Sequence, residues 1–347
     1  MEESRPFISV IIPTYERAGQ LFACLGALAV QDYHRDRFEV LVVDDGSLIS
    51  PEPTVDTFRD RLNVRYLKQE HAGPAAARNH GAAVAKGEIL AFTDDDCAPA
   101  PDWLRSLATS LASRSDCVLG GRTINELANN PYSTASQVIV DYLYARWNSD
   151  PDHATFFTSS NFTLPAKIFH DVGGFDTSWI RAAGEDRDLC DRLISRGYRL
   201  KYAPGAVVGH AHPLTFRTFW RQQFNYGCGA YRLHQSRARV HARSIRVQPL
   251  TFYLKMLGYP FVRTRGRKAA LFAALLVVAQ AANAAGFIWE GAMKGRTGPQ
   301  HGTGRASGEE NQTTEVETEK PVTVEQPSAE LAGTVTGTVT GTVTGQQ

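Results

Sequence analysis

The sequence predicts an α/β fold of the doubly wound kind, with a mainly parallel sheet and helices on both faces. Three observations carry this. Between residues 7 and 121 short apolar runs alternate with segments of helical spacing, which is the rhythm of βα units laid into one sheet. Each of the first four apolar runs ends in a polar stretch, and ligands of an open parallel sheet bind outside the carboxyl ends of its strands. The fourth of these stretches is Asp94-Asp95-Asp96, three carboxylates concentrated at one strand end.

Taken in order, residues 7–12 form the first strand, and residues 19–30 carry helical spacing through Leu21, Cys24, Leu25 and Leu28. Residues 38–43 are the second strand, 54–62 a short helix, and 64–67 the third strand. An Ala-rich helix follows over 74–85, opened by Pro74 in its first turn. Residues 89–92 are the fourth strand, 102–112 a helix and 118–120 a further strand. The polar stretches after the first four strands are Pro13-Thr14-Tyr15-Glu16-Arg17, Asp44-Asp45-Gly46-Ser47, His71-Ala72-Gly73 and the acid triplet, and they line one crevice.

Three adjacent carboxylates repel one another, so something positive must sit among them. A divalent cation is the simplest candidate, and oxygen ligands suit Mg2+ or Mn2+. In an extended segment Asp94 and Asp96 point one way and Asp95 the other, which makes Asp94 and Asp96 the ligand pair. For an isolated triplet the alternative is a solvated acidic turn. Arg78 lies in the helix that opens at Pro74, where the positive helix end and a guanidinium suit a pyrophosphate. No Walker lysine motif and no G-x-G-x-x-G follows a strand, which argues against a P-loop ATPase and a dinucleotide oxidoreductase.

At 347 residues and 43% hydrophobic the chain can bury one large core or two modest ones. Five cysteines without C-x-x-C spacing make neither a disulfide framework nor a zinc site, so a reducing compartment is implied. The opening residues lack a basic run followed by an apolar core, so no secretory signal is expected and the catalytic part is expected in the cytosol. The net charge of +1 hides an asymmetry: residues 192–289 hold sixteen Lys and Arg and no Asp or Glu. Such a segment looks for a polyanion, which could be an anionic membrane surface, a phosphorylated lipid or a nucleic acid; the partner expected is the membrane surface, and no nucleic acid is expected.

The sequence resembles family 2 glycosyltransferases of the GT-A fold over roughly residues 7–235. The resemblance rests on Val10-Ile11-Ile12-Pro13-Thr14-Tyr15, Val42-Val43-Asp44-Asp45-Gly46-Ser47, Gly73 with Ala77-Arg78-Asn79, Phe92-Thr93-Asp94-Asp95-Asp96, Gly173-Gly174-Phe175-Asp176 and Gly184-Glu185-Asp186-x-Asp188-Leu189. It implies a nucleotide-diphosphate-sugar donor, with Asp44 or Asp45 reading the base. Pro13, Thr14, Tyr15, Glu16, Gly73, Arg78 and Asp95 complete the donor crevice, and Asp94 and Asp96 hold metal and diphosphate. The general base falls on Asp186, beside Glu185, and a histidine after the acid helix, best matched by His210, completes the metal shell. Asn161 and Gly173-Gly174-Phe175-Asp176 belong to the acceptor side.

The residues around Asp186 read the same way on their own. Gly184 breaks the chain and residues 185–196 carry helical spacing, so Asp186 lies in a first turn, which favours the ionised carboxylate that a base requires. The competing reading is that Glu185, Asp186 and Asp188 only counter the helix dipole, with Asp188 paired to Arg192.

Aromatics and arginines interleave over residues 214–231, as in an amphipathic helix able to lie in a headgroup layer. Trp220-Arg221-Gln222-Gln223 only loosely echoes a Q-x-x-R-W motif, which disfavours a processive polysaccharide synthase. Residues 269–289 hold 21 positions without a charge, preceded by Arg263, Arg265, Arg267 and Lys268: a single span or a helix packed on the domain. Beyond Lys294 the chain turns polar and ends in Gly-Thr-Val-Thr repeats, expected to be disordered. The expected organisation is therefore a nucleotide-sugar-binding half (1–125), an acceptor-side half (126–235), a basic and apolar membrane-associating region (236–294) and a tail (295–347).

The activity expected is inverting transfer of a sugar to an acceptor glycan or lipid-linked acceptor, at the inner face of the cell membrane, for cell-envelope or surface glycan synthesis. The rivals are a sugar nucleotidyltransferase, separable by its pyrophosphate product, and a non-catalytic membrane- or polyanion-binding module on the same fold.

Overall fold

The computed structural model describes residues 5–112, 117–179, 183–241 and 248–296. The chain order is β1 (Ile8–Thr14), α1 (Ala18–Leu28), β2 (Phe38–Asp44), α2 (Glu52–Asp56), β3 (Val64–Lys68), α3 (Pro74–Val84), β4 (Ile89–Phe92), β5 (Cys97–Pro99), α4 (Trp103–Ala112), β6 (Val118–Asn125) and α5 (Pro131–Trp147). It continues through β7 (Phe162–Pro165), α6 (Ala166–Asp171), α7 (Glu185–Ser195), β8 (Leu200–His210), α8 (Phe216–His241), α9 (Leu250–Arg263) and α10 (Gly266–Arg296).

One eight-stranded sheet runs in the order β3-β2-β1-β4-β7-β6-β8-β5. Its first four strands pair in parallel, and β7 enters antiparallel to β4 and β6. Every residue of β1 and β2 is buried, as a sheet covered on both faces requires. The period of two then divides the core: Ile8, Val10, Ile12, Val40 and Val42 pack beneath α1 and α4, whereas Ile11 and Leu41 join the aromatic layer of Phe92, Phe162, Phe169 and Phe175.

Two elements depart from expectation. The predicted helix over 54–62 is short, ending at Asp56 and continuing as tight turns in which Arg61 N donates to Phe58 O. Val55, Phe58 and Leu62 are nevertheless buried, so the helical spacing records burial rather than a continuous helix. Strand β6 runs to Asn125, beyond the predicted end at residue 120, because it pairs with the long β8 through a bulge after Gly121. That register carries β8 outward to His210, which lies opposite Cys97 of β5, and Ala211 N donates to Asp96 O at 2.8 Å.

The C-terminal helices pack on this body within one compact unit, Met1–Gly298. Helices α8 and α10 approach at glycine: a Cβ on Gly227 would lie 2.0 Å from Asn283 O, and one on Gly286 2.0 Å from Phe224 O. Asn283 Nδ2 donates to Gln223 Oε1 at 3.1 Å, and Arg232 pairs with Glu290 at 2.7 Å. The stretch Gly266–Met293 has a mean hydropathy of 2.0 and is long enough to cross a membrane by length and composition alone. Of the predicted tail, residues 297–347 lie outside the described residues.

Candidate active site

The polar ends of β1, β2 and β4 meet in one crevice, and they are tied together before any ligand arrives. Thr14 is in register with Asp44. Glu16 adopts φ of 56°, a left-handed conformation unusual for a residue with a side chain. There its N–H donates to Ser47 Oγ and its Oε1 accepts from Leu48 N. Gly46, at φ of 82°, has no room for a Cβ, which would sit 2.8 Å from His71 N. Asp44 accepts from Ser47 N and Tyr66 Oη at 2.9 and 2.8 Å. Asp45 accepts from Gln69 Nε2, Ala72 N and Gly73 N, with His71 Nδ1 2.9 Å away. Both carboxylates are buried and hold the loops in place; the half-open ring of Tyr15, 4.4 Å from that of His71, forms the flat surface at the mouth.

The acid triplet is a turn, not an extended segment: Cys97 N donates to Asp94 O at 3.1 Å. The three carboxylates still part company. Asp95 turns inward to Thr14 Oγ1 at 2.8 Å and Arg17 Nη1 at 3.2 Å; burial, opposed by Arg17, pushes its pKa up to about 6. Asp96 meets Arg17 at 3.1 Å, His210 Nε2 at 3.2 Å and His212 Nδ1 at 3.0 Å. Burial pushes the Asp96 carboxyl up, but the two imidazoles and Arg17 outweigh it and hold it well below the usual carboxylate range. Asp94 pairs with Arg78 Nη2 at 2.7 Å.

Arg78 differs most from its expected use. Rather than facing a pyrophosphate from the start of α3, it lies 3% exposed and bridges Asp94 to Glu185 Oε1 at 3.3 Å. Glu185 in turn accepts from Ala183 N at 2.9 Å. Both of its oxygens are engaged, so its evident task is to fix the start of α7 to the acid turn. Asn79 does the same for the glycine turn, exchanging two hydrogen bonds with the backbone of Phe175. Asp188 pairs with Arg192 at 2.8 Å, and Asn161 is a core residue that accepts from Trp103 Nε1.

Asp186 is the exception in this group. Among the described residues its side chain accepts one hydrogen bond, from the neighbouring backbone Arg187 N at 2.7 Å, and it opens onto a cavity of about 1070 Å³ that also reaches Asp94, His210 and His212. Burial, then the Glu185 carboxylate, pushes its pKa up to about 7. This corrects the expectation that its first-turn position keeps it readily ionised. A helix terminus contributes about 0.3–1 kcal/mol, whereas each pKa unit corresponds to about 1.4 kcal/mol, so burial wins.

Sequence reasoning passed over Arg17, the cation between Asp95 and Asp96, and left His212 unassigned beside His210. The ligand atoms of Asp96, His210 and His212, and those of Asp94, Asp96 and Cys97, lie within 4.8 Å of one another in two overlapping groups. Tyr226 of α8 was also missed; it lines the cavity, and burial with Asp186 and Glu185 nearby raises its pKa.

Comparison with known proteins identifies the family. Residues 9–173 match Glycosyl transferase family 2. Glycosyltransferase AglE of Haloferax volcanii is 30% identical over 233 residues, which span 66% of this chain and 74% of that protein. The chain belongs to glycosyl transferase family 2. A second relative, the validoxylamine A glucosyltransferase of Streptomyces hygroscopicus subsp. jinggangensis, is 32% identical over 220 residues, covering 55% of this chain and 52% of the relative. Among solved structures, the mannosyltransferase PcManGT from Pyrobaculum calidifontis, in complex with GDP-Man and Mn2+, superposes with a TM-score of 0.55 at 20% identity over 81% of this chain and 88% of that one. That similarity establishes a shared fold. The protein is a glycosyltransferase of this family, with the GT-A architecture.

Proposed function

We propose that the protein transfers a sugar from a nucleotide diphosphate to an acceptor hydroxyl with inversion, using Asp186 as general base. The observation that carries this is the contrast within one cavity: among the described residues that line it, Asp94, Glu185 and Asp191 are each held by a cation, while Asp186 presents a carboxylate without an ion pair, its pKa pushed up to about 7. Such a pKa suits a group that must be ionised yet basic at physiological pH. Asp186 takes the acceptor proton as the oxygen attacks the anomeric carbon from the face opposite the leaving diphosphate.

A divalent cation fits the acid turn. Asp94 and Asp96 supply carboxylate oxygens, and His210 and His212 stand where imidazole nitrogens can replace their contacts to Asp96. A mixed oxygen and nitrogen set suits Mn2+ better than Mg2+, which prefers oxygen alone. When bound, the cation neutralises the charge that develops on the departing diphosphate. Thr14, Tyr15, Asp44, Asp45 and Gly73 shape the pocket for the nucleotide. PcManGT, crystallised with GDP-Man and Mn2+, supports this reading of the donor and metal.

The C-terminal helices support docking at the inner face of a membrane, where a lipid-linked acceptor or a surface glycan would be reached. Leu250, Leu254, Phe261 and Val262 of α9 and Leu271, Val277, Ile288 and Trp289 of α10 are exposed, close in sequence to Arg263, Arg265, Arg267 and Lys268. Docking of such a face to anionic lipid needs no span.

The deciding experiment incubates the protein and Mn2+ with a panel of nucleotide sugars and measures nucleoside diphosphate release and the anomeric configuration of the product. Release of a diphosphate with inversion is expected. Pyrophosphate from a nucleoside triphosphate would instead identify a nucleotidyltransferase.

A further inference from the structure

Next to Asp186 the chain carries a cation that the donor chemistry does not use. The guanidinium of Arg187 lies flat over Trp147, 3.9 Å from the ring centroid, with Phe156 at 5.7 Å. Among the described residues it has neither an ion pair nor a side-chain hydrogen bond, although every other arginine around Asp186 has one: Arg78 with Asp94 and Glu185, Arg192 with Asp188, Arg237 with Asp191. It lines the same cavity as Asp186. A guanidinium carries five donors, and aromatic stacking satisfies none of them.

The surroundings sharpen what those donors await. Arg237 and His234 of α8 line the same part of the cavity. Burial, followed by Arg237 and Arg187, lowers the His234 pKa, and burial with Arg237 lowers that of Arg187 to about 10, which leaves Arg187 charged at neutral pH. The one carboxylate between them, Asp191, is already gripped by Arg237 through two hydrogen bonds at 2.6 and 2.7 Å. Across the cavity the wall turns apolar, with Leu143, Phe252, Met256, Phe287 and Ile288, and Phe252 stacks on Trp147 at 18° between planes.

We infer that the acceptor is an amphiphile with an anionic head, of the phosphate-ester class, whose charged group is held by Arg187 beside Asp186 while its apolar chain lies between α5, α9 and α10. A neutral sugar acceptor would leave Arg187 unpaired and cover an apolar wall with hydroxyl groups, which costs binding on both counts. The inference rests on Asp186 marking the acceptor side of the cavity.

The test is calorimetry on the full chain with decyl phosphate, decanol and inorganic phosphate as probes, below micelle-forming concentration. Decyl phosphate should bind at least about tenfold tighter than either of the others, as expected for a charge-assisted contact in a partly buried site. In Arg187→Gln that preference should fall to within about twofold while decanol affinity, which reports an intact apolar wall, stays unchanged. Arg187→Lys should keep part of the preference, since the charge remains and the fork is lost. Equal affinity for decyl phosphate and decanol in the wild-type protein overturns the inference, whether or not Arg187→Gln folds; so does a preference that persists in a folded Arg187→Gln protein. Nucleotide-sugar binding by the wild-type protein is measured alongside. Its absence would remove the donor reading and leave the amphiphile result standing, and a failed amphiphile test with donor binding intact would do the reverse.

Discussion

The two sides of the cavity differ in how their charges are met. At the strand ends every carboxylate is engaged by the protein: Asp45 by two backbone N–H groups and Gln69, Asp95 by Thr14 and Arg17, Asp96 by Arg17, His210 and His212, and Asp94 by Arg78. Across the cavity Asp186 and Arg187 stand without ionic partners among the described residues. The first arrangement fixes geometry before a ligand binds, which is what electrostatic preorganisation asks of a leaving-group site. The second leaves the groups that must change charge or meet a variable partner free to do so.

The comparison breaks most severely at the acid turn. Asp96→Asn removes the one carboxylate shared by both potential ligand groups, so turnover should be abolished and donor binding weakened, with excess chelator reproducing both in the wild-type protein. Calorimetry of donor binding with and without Mn2+ reads this directly, and full activity in excess EDTA would remove the metal from the mechanism. Metal affinity should also rise with pH, because the His210 imidazole, whose pKa is raised despite its burial by its contact with Asp96, must release its proton before it can hold a cation.

On the opposite side, Asp186→Asn should leave donor and metal affinity nearly intact while lowering kcat by about 10²- to 10⁴-fold. The wild-type kcat/KM should climb as pH rises toward about 7 and level off above it, because the base works only when ionised. That acid limb should vanish from the residual activity of Asp186→Asn. Loss of donor binding in this variant would move Asp186 to the donor shell.

How much of this was legible beforehand follows the same division. The strands and their polar ends were readable because a buried parallel strand is an unbroken apolar run and its end is abrupt, as at Phe92 before Asp94. Asp94, Asp96, Asp186 and His210 stood out through the order of the motifs that resemble family 2 glycosyltransferases, since an acid triplet, a helix-terminal acid or a histidine taken singly reads as readily as a solvated turn, a counter to the helix dipole or an ordinary surface residue. Arg17 and His212 were not legible: one acts across the crevice from the β1 turn, and the other depends on the β6–β8 bulge and the β5–β8 register, which no local pattern encodes. Arg187 drew no reading from the sequence, since nothing local sets it over Trp147, forty residues earlier in the chain.

Next in size is a purely structural effect. Arg78→Met leaves Asp94 and Glu185 facing one another without their shared cation, and breaking a buried pair in this way costs about 3–5 kcal/mol. Thermal denaturation should show it as a large fall in Tm, and Arg78→Lys should restore only part, since one ammonium cannot span both carboxylates as the guanidinium does. A Tm within a degree of wild type for Arg78→Met would mean that the bridge does not hold α7 to the acid turn.

The smallest effect turns the unpartnered side into a stability measurement. Asp186 has a pKa raised from 3.8 to about 7 by burial and by Glu185, so the folded chain holds its proton more tightly than the unfolded chain. A raised carboxyl pKa contributes stability that is fully present below the unfolded value and is lost as pH rises through the folded value. Asp186→Asn removes that dependence. Its Tm should therefore exceed that of wild type at pH 8, by about 2–4 °C for each kcal/mol recovered, and the gap should narrow progressively toward pH 4, where the wild-type carboxyl is protonated in the folded state. The control is Asp96→Asn, whose carboxyl is held below the usual range by His210, His212 and Arg17 despite burial; there the sign reverses, and the variant should be the less stable protein at pH 8. If both substitutions shift Tm in the same direction at pH 8, the division between a paired donor side and an unpaired acceptor side does not describe this protein.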